Sequence, residues 1–386
     1  MRSWHHHVAW AGALLLLGVF STQIAVPYMR ETRYSAAAAT EGPAAVALLP
    51  VLHVATPASV RAIYMTACVA ATPSWREKLK VLIETTELNA VVIDIKDSTG
   101  TVSFASGIPE TNSGKGCVVS DLKEFIESLH KSSIYVIGRI SVFQDPSYAA
   151  LHPELAVKSK ASGGVWKDRK GLSFIDVGAK PYWDHIITLA EASHNIGFDE
   201  LNFDYVRYPS DGNMDDAHFT WTTASSTKAM MLESFFSYLR SKLEGTGSVM
   251  SADLFGMTTT VASDMGIGQV LEKALPYFDY IAPMVYPSHY PAGWNGFANP
   301  AAHPYEVIKI AMAGGREREV ALNIAQGLAT STPSKLRPWL QDFNLGATYG
   351  PTEVRAQMQA TYDLGLNSWL LWSAGNVYTE AALQRP

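Results

Sequence analysis

Residues 90–95 read AVVIDI, a run of apolar residues that contains one carboxylate, Asp94. Apolar side chains at successive positions, rather than at alternate ones, are typical of a strand buried on both faces, as in a parallel sheet. The pattern therefore predicts eight buried parallel strands, because similar runs recur at residues 61–66, 134–140, 200–203, 249–254, 280–285, 337–343 and 368–372.

Stretches with helical character separate these runs. They occupy residues 74–86, 120–131, 181–194, 223–243, 266–275, 304–313 and 351–364. Alternation of eight strands with helices over roughly 320 residues predicts an α/β protein, a (β/α)8 TIM barrel. A doubly wound sheet is the competing fold. Its first strand is usually followed by a glycine-rich turn, and here Thr66, Ala67 and Cys68 follow instead.

The N-terminus has the character of an export signal. Arg2 precedes an apolar run over residues 8–20, which residues 24–26 extend. A positive n-region followed by such a run is typical of a secretory signal, and if uncleaved it would be long enough to span a bilayer. We therefore expect a signal peptide or N-terminal membrane anchor (residues 1–30), an Ala/Pro-rich linker (31–60) and a barrel (61–386) in an exported protein, either secreted or anchored to the cytoplasmic membrane.

The composition argues against nucleic-acid and metal partners, and it allows one disulfide bond. The formal net charge of -6 is spread along the chain without a basic stripe, so we expect no nucleic-acid partner. Cys68 and Cys117 do not fit a zinc spacing, and we expect neither a metal nor another cofactor. Because these cysteines follow the first and second strands, we expect them within disulfide range, with buried free thiols as the alternative.

Carboxylates recur where the predicted strands end, which is where TIM barrels place functional residues. Asp94, Asp204 and Asp253 lie at the ends of strands two, four and five, and they are the candidate catalytic residues. Structural ion pairs, such as Asp94 with Lys96 or Asp204 with Arg207, are the alternative. Other polar or aromatic residues at the same end are candidate substrate-binding residues: Lys96, Asp97, Arg139, Tyr205, Arg207, Tyr286, His289, Asp342 and Trp372.

Paired carboxylates at one end of a barrel suit glycoside hydrolysis. One carboxylate attacks the sugar or activates water, and the other, while protonated, protonates the leaving oxygen. Asp204, with Arg207 close in sequence and Arg139 on the neighbouring strand, suits the ionised role, because a nearby cation stabilises the charged form. Asp253 lies between apolar residues, which suits a raised pKa.

Aromatic residues at the strand ends suit a sugar substrate. Trp372, Tyr286 and Tyr205 are candidate platforms for sugar rings, with core packing as the alternative. Motifs of other chemistries are missing from the sequence, which has no H-E-x-x-H zinc motif, no G-x-S-x-G elbow and no P-loop.

Five segments in order carry a family resemblance: VVIDIKDSTGTVSF, YVIGRISVFQDP, GFDELNFDYVRYPSDG, SADLFGMTT and DYIAPMVYPSHYPAGWNG. Over residues 61–374 the chain resembles the bacterial "putative glycosyl hydrolase domain" family, a barrel group related to the α-amylase-like clan. The resemblance implies a (β/α)8 fold, action on polysaccharide in or near the cell envelope, and a nucleophile at Asp204. The clan's acid usually lies on strand five or six. Strand five offers Asp253, whereas strand six offers Tyr286 and His289 but no carboxylate.

The sequence thus favours an endo-acting, retaining glycoside hydrolase with a cell-envelope or extracellular polysaccharide as its partner. If the N-terminal segment is uncleaved, the membrane is a second partner. Two alternatives remain: a non-catalytic carbohydrate-binding barrel, and an envelope scaffold that contacts other proteins.

Overall fold

The computed structural model describes residues 51–109, 116–222, 225–329 and 331–385. The signal or anchor expected at residues 1–30, and residues 31–50 of the expected linker, lie outside these ranges. Among the described residues, no helix combines the length and the apolar character needed to cross a membrane.

Eight parallel strands close into a barrel in sequence order, with each strand hydrogen-bonded to the next and the last to the first. This confirms the predicted (β/α)8 TIM barrel. The strands are β1 (Arg61–Met65), β2 (Ala90–Lys96), β3 (Tyr135–Ser141), β4 (Glu200–Asp204), β5 (Val249–Phe255), β6 (Tyr280–Met284), β7 (Trp339–Gln341) and β8 (Trp369–Trp372). A separate two-stranded ribbon pairs Lys158–Ser159 with Ala217–His218.

The α-helices lie between the strands or in the loops that follow them. They are α1 (Ala67–Ala70), α2 (Pro73–Glu84), α3 (Leu122–Lys131), α4 (Pro146–Leu151), α5 (Lys180–Asn195), α6 (Lys228–Leu243), α7 (Leu271–Ala274), α8 (Pro304–Ala325) and α9 (Pro351–Tyr362). Helix α7 is much shorter than predicted, because Gly266 and Gly268 adopt left-handed backbone conformations that a helix cannot contain. Helix α8 runs on through Gly314, where a Cβ would lie only 3.0 Å from the Thr259 carbonyl oxygen.

The buried strands are apolar on both faces because each faces two different cores. In β2, Ala90 and Val92 pack inside the barrel with Tyr135. Val91 and Ile93 point outward and pack in the larger core that contains the helices. Every residue of β2 is buried, which explains why its sequence shows no alternation.

A buried ion pair fills the N-terminal end of the barrel interior. Arg337 Nη1 donates to both carboxylate oxygens of Glu200, at 3.0 and 2.9 Å. The Tyr135 hydroxyl donates to Glu200 Oε2 at 3.1 Å, and the Arg337 guanidinium lies 3.8 Å from the centre of the Tyr280 ring. Each charge thus has an opposite charge and further polar or aromatic contacts.

Residues 51–60, which the sequence places in the linker, pack against this same end. The backbone N–H of Val54 donates to Asp199 Oδ1 at 2.7 Å, and the Thr56 hydroxyl lies 3.0 Å from the Tyr135 hydroxyl. Val60 is fully buried. These ten residues contain no barrel strand, but they contribute hydrogen bonds and apolar contacts to the barrel.

The two cysteines lie within disulfide range, as predicted, and they form a disulfide. The Cα atoms of Cys68 and Cys117 are 4.9 Å apart, within the normal range for a bridge. The bond joins the segment after β1 to the long loop after β2.

Candidate active site

A cavity of about 420 Å³ opens at the C-terminal end of the barrel. Sites for small ligands usually have volumes of about 300–1,000 Å³. Most of the candidate residues line this cavity: Arg139, Asp204, Tyr205, Arg207, Asp253, Tyr286, His289 and Trp372. The other four candidates, Asp94, Lys96, Asp97 and Asp342, do not line it.

Arg139, in the middle of β3, connects the carboxylates of three strands. Its Nη1 donates to Asp94 Oδ1 at 2.7 Å, and its Nε donates to Asp204 Oδ2 at 3.0 Å. Nη2 also donates to Asp204 Oδ2, and Nε lies 3.9 Å from Asp253 Oδ2. One buried guanidinium therefore serves three buried carboxylates, so its single charge cannot balance all of them when ionised.

Asp204 is the last residue of β4, and its partner differs from one that the sequence suggests. The guanidinium that pairs with it belongs to Arg139, whereas Arg207 makes no ion pair with it. Tyr205 follows with φ of 51°, a left-handed conformation that bulky residues rarely adopt. Its backbone N–H donates to Asp204 Oδ1 at 2.5 Å. Both oxygens of Asp204 thus accept hydrogen bonds, and the backbone strain lies next to the carboxylate.

Asp253 lies in β5, beside Asp204. Its Oδ1 accepts hydrogen bonds from Asn202 Nδ2 at 2.9 Å and from Trp339 Nε1 at 2.8 Å. Burial, reinforced by the nearby Asp204 carboxylate, raises the pKa of Asp253 to about 8. Asp253 therefore keeps its proton to a higher pH than an ordinary aspartic acid.

The separation of Asp204 and Asp253 can be bounded from a shared neighbour. Arg139 Nε lies 3.0 Å from Asp204 Oδ2 and 3.9 Å from Asp253 Oδ2. These two oxygens are therefore no farther apart than the sum of the distances, 6.9 Å. Carboxylates of retaining glycosidases are about 5–5.5 Å apart and those of inverting ones about 6.5–9.5 Å, so the bound excludes most of the inverting range for these atoms.

Asp94 was a catalytic candidate, but it is buried and does not line the cavity. Its Oδ2 accepts a hydrogen bond from the Tyr64 hydroxyl at 2.5 Å, and its Oδ1 accepts one from Arg139. Burial raises the pKa of Asp94. Because Asp94 does not line the cavity and donates no group to it, its role is to hold Arg139 in position.

Lys96 and Asp97 make structural contacts away from the cavity. The strand register shifts between Asp94 and Lys96, and Lys96 Nζ donates to Asp145 Oδ2 at 2.6 Å and to the Tyr182 hydroxyl at 2.5 Å. The ion pair of Asp94 with Lys96, which the sequence left open as an alternative, is thus not formed. Asp97 Oδ1 accepts from the Thr99 N–H at 2.8 Å and holds the turn after β2.

Asp342 follows β7 but serves the C-terminal segment. Its Oδ2 accepts from the Thr379 N–H at 2.8 Å, and its Oδ1 accepts from the Thr379 hydroxyl at 2.6 Å. Burial raises the pKa of Asp342. Both oxygens face the protein, so the contact expected with substrate is replaced by an internal one.

The three aromatic candidates line the cavity to different degrees. Trp372 and Tyr205 are partly exposed, whereas Tyr286 is only 6% exposed. Trp372 stacks on Tyr64 with ring centres 4.1 Å apart, which fixes its orientation. His289 packs edge-on against Tyr286 with centres 5.2 Å apart, and burial lowers the pKa of His289. Trp372 and Tyr205 therefore offer the more accessible aromatic surface.

Sequence reasoning did not assign a role to three residues that shape the site. Asn202 precedes Asp204 by two positions, so the strand period of two places both on one face and could have identified it. Tyr64 lies in β1 and donates a hydrogen bond to Asp94, and Trp339 reaches Asp253 from β7. The Trp339 contact joins residues 86 positions apart, and no local pattern predicts it.

A closed eight-stranded parallel barrel with helices between its strands defines a protein of the (β/α)8 TIM-barrel class. The sequence then gives the family. The chain belongs to the family described as "Putative glycosyl hydrolase domain", whose family model matches residues 62–378. No curated protein matches the chain significantly.

Two of the solved structures that this chain resembles share its fold. The PgaB (BpsB) glycoside hydrolase domain from Bordetella bronchiseptica is 14% identical, with a TM-score of 0.57 over 82% of this chain and 95% of that one. The alpha-L-fucosidase isoenzyme 2 from Paenibacillus thiaminolyticus is 12% identical, with a TM-score of 0.55 over 84% of this chain and 48% of that one. A hypothetical protein from Ruminiclostridium thermocellum is 33% identical over 50% of this chain and 96% of its own, with a TM-score of 0.45.

Proposed function

We propose that this protein is an exported glycoside hydrolase that cleaves internal bonds of a cell-envelope or extracellular polysaccharide with retention of configuration. The observation that carries the proposal is the pair Asp204 and Asp253 on one cavity, with Arg139 next to both carboxylates and with the pKa of Asp253 raised by burial. Family membership supports the reaction class.

The two carboxylates have complementary roles in this mechanism. Asp204 attacks the anomeric carbon while Asp253 gives its proton to the departing glycosidic oxygen, so one sugar–oxygen bond breaks as the sugar–carboxylate bond forms. Asp253, now ionised, then takes a proton from water, which attacks the same carbon and releases Asp204. A raised pKa suits the acid, because the proton must be present at the operating pH.

The positive charge of Arg139 supports both the attack by Asp204 and the proton transfer from Asp253. Two of its nitrogens donate to Asp204, which places a positive charge beside the carboxylate that attacks. Its weaker approach to Asp253, at 3.9 Å, leaves the protonated form of that residue favoured by burial. Trp372 and Tyr205 would contact the apolar faces of the sugar rings.

Two observations support a location outside the cytoplasm. The N-terminal sequence has a charged n-region and an apolar run, as export signals do. Cys68 and Cys117 form a disulfide, and such bonds persist mainly in oxidising compartments. An antibody against the barrel should detect the protein in the extracytoplasmic or secreted fraction; detection only in the cytosol would contradict this part.

The decisive experiment screens the purified oxidised protein against a panel of envelope polysaccharides and exopolysaccharides. We expect release of new reducing ends, oligosaccharide products from the start of the reaction, and products whose first-formed anomer matches the substrate by NMR. Release of monosaccharides alone would contradict endo-action, and the opposite anomer would contradict retention. Tight binding without cleavage of any panel member would favour the non-catalytic carbohydrate-binding barrel.

A further inference from the structure

Arg207 is a charged residue of the cavity that the mechanism above does not use. It follows Asp204 by three positions and lines the same cavity. Its Nη1 donates to the Tyr208 carbonyl oxygen at 3.1 Å and to the Ser210 hydroxyl at 3.2 Å. Within the described residues, Nε and Nη2 have no hydrogen-bond partner, and no carboxylate lies within 4.0 Å of the guanidinium.

The surroundings of Arg207 are aromatic and hold the guanidinium in place. Its Cζ lies 4.9 Å from the centre of the Tyr205 ring, 5.0 Å from that of Phe255 and 5.7 Å from that of Phe174. Aromatic faces attract a cation, but they offset only part of the cost of removing it from water. Burial lowers the pKa of Arg207 as a result. Asp204, Asp168 and Asp211 act on this charge only from beyond ion-pair distance. A partly buried cation without a direct ion pair is a feature that ligand binding can satisfy.

Arg139, which lines the same cavity, shows the contrast. Its guanidinium donates to Asp94 and Asp204 and is committed to the protein's own carboxylates. Arg207 instead keeps both nitrogens of its Nε–Nη2 edge available. That edge presents two parallel N–H groups, a geometry that matches the two oxygens of a carboxylate.

We propose that Arg207 binds an acidic group of the substrate, and that the polysaccharide carries carboxylates, as polymers of uronic acids do. This inference rests on the proposed function in one respect, namely that the cavity holds sugar. Sulfated or phosphorylated sugars share the negative charge, but a planar carboxylate fits the two parallel donors best.

Binding measurements test this separately from catalysis. Calorimetry would compare oligogalacturonate and oligomannuronate with the same oligomers after reduction of their carboxyl groups, and with a sulfated galactan oligomer. The wild type would be used, or Asp204→Asn where the probe is cleaved. We expect at least one acidic oligomer to bind tenfold or more tightly than its reduced form. No such preference would overturn the proposal, and preference for the sulfated oligomer would overturn the choice of carboxylate.

Variants assign the effect to Arg207. We expect Arg207→Gln to lose the preference for the acidic oligomer while affinity for the reduced oligomer stays within about twofold. Arg207→Lys should retain part of the preference, because it keeps the charge without the two-donor edge. Arg169→Gln is the matched control, since Arg169 lies on the surface, 78% exposed, with Asp211 at 3.4 Å. An equal loss of affinity for both oligomers in Arg207→Gln would mean a structural role.

The two proposals fail in different ways. Selective binding of acidic oligomers without cleavage of any polysaccharide would leave the anion site intact and remove the hydrolase function. Cleavage of neutral polysaccharides together with equal binding of acidic and reduced oligomers would do the reverse.

Discussion

The two ends of the barrel interior each bury an arginine, and they use it differently. At the N-terminal end, Arg337 faces one carboxylate, Glu200, and the charges balance. At the C-terminal end, Arg139 faces Asp94, Asp204 and Asp253, and they do not balance. Both guanidinium groups are buried, so the difference lies in the number of carboxylates.

Because of this difference, the N-terminal pair can serve stability and the C-terminal cluster can serve chemistry within one fold. A balanced pair loses an opposite charge when either member is removed, and an uncompensated buried charge is costly. In the unbalanced cluster, Arg139 keeps a carboxylate when one is lost, and the excess negative charge is relieved by a proton on Asp253. The C-terminal cluster therefore has more carboxylates than Arg139 needs for an ion pair, and Asp253 holds a proton that it can donate. The N-terminal pair has neither feature.

Asp204→Asn should have the largest effect on activity, with little effect on stability. Because Arg139 retains Asp94, we expect little loss of stability, while hydrolysis falls roughly 10³-fold or more through loss of the nucleophile. Initial rates and thermal unfolding would be measured together. A loss of about 3–5 kcal/mol of stability would instead show that Asp204 is a structural partner of Arg139.

Asp253→Asn should lower hydrolysis about 10²–10⁴-fold, the range for loss of a general acid. In the wild type, activity should fall as the pH rises through about 8, where Asp253 loses its proton. The variant should lack this limb. Tyr286→Phe keeps both carboxylates, so its pH profile should retain the limb.

The raised pKa of Asp253 also predicts the pH dependence of folding. The pKa in the folded protein lies above the unfolded value of about 3.9, so between pH 4 and 8 the folded state binds more protons. The free energy of unfolding contributed by this group therefore falls as the pH rises through that window. Chemical unfolding at pH 5 and 8 should show a smaller decline in Asp253→Asn, and an identical decline would contradict the assignment.

Glu200→Gln, at the N-terminal end, should lower stability and leave activity unchanged, which is the opposite of the result expected for Asp204→Asn. It leaves Arg337 without a carboxylate, so we expect the free energy of unfolding to fall by about 3–5 kcal/mol. The folded protein should keep its kcat/KM at a temperature below its transition. Glu233→Gln is the control, because its partner Lys273 is partly exposed and such pairs contribute about 0–1 kcal/mol. Equal losses in both variants would remove the contrast between buried and surface pairs.

Thr56→Val tests the contact of residues 51–60 with the N-terminal end. It removes the hydroxyl that lies 3.0 Å from the Tyr135 hydroxyl, and we expect a loss of about 0.5–1.5 kcal/mol in the free energy of unfolding. Activity should not change, because the cavity lies at the other end. A change in kcat/KM without a change in stability would show that the two ends are coupled.

The fold could be predicted from the sequence because its main signal is local. Runs such as residues 90–95 are apolar on both faces of a strand, and eight of them alternating with helices leave few alternatives to a barrel. The elements that differ depend on packing or on backbone conformation. Gly314 lies inside helix α8, where the nearby Thr259 carbonyl oxygen leaves little room for a side chain. The sequence pattern does not show this neighbour, so it predicts a helix that ends before the glycine.

The candidate site was predictable only as a set of positions at one face. Strand ends identified Asp204 and Asp253 correctly as residues of the cavity, and the same rule included Lys96 and Asp342, which make internal contacts. Position along a strand does not say whether an oxygen or nitrogen already has a partner. For Lys96 that partner is Asp145, which lies 49 positions away in a different loop.

The disulfide affects how the protein must be prepared for stability measurements. Cys68 and Cys117 enclose a segment with a separation of 49 positions, and closing a loop of that length restricts the unfolded chain by about 4 kcal/mol in the chain-entropy model. Protein recovered from a reducing cytosol would lack that restraint. Batches oxidised to different extents would then unfold at different temperatures with identical sequences, so a thiol titration belongs beside every stability value.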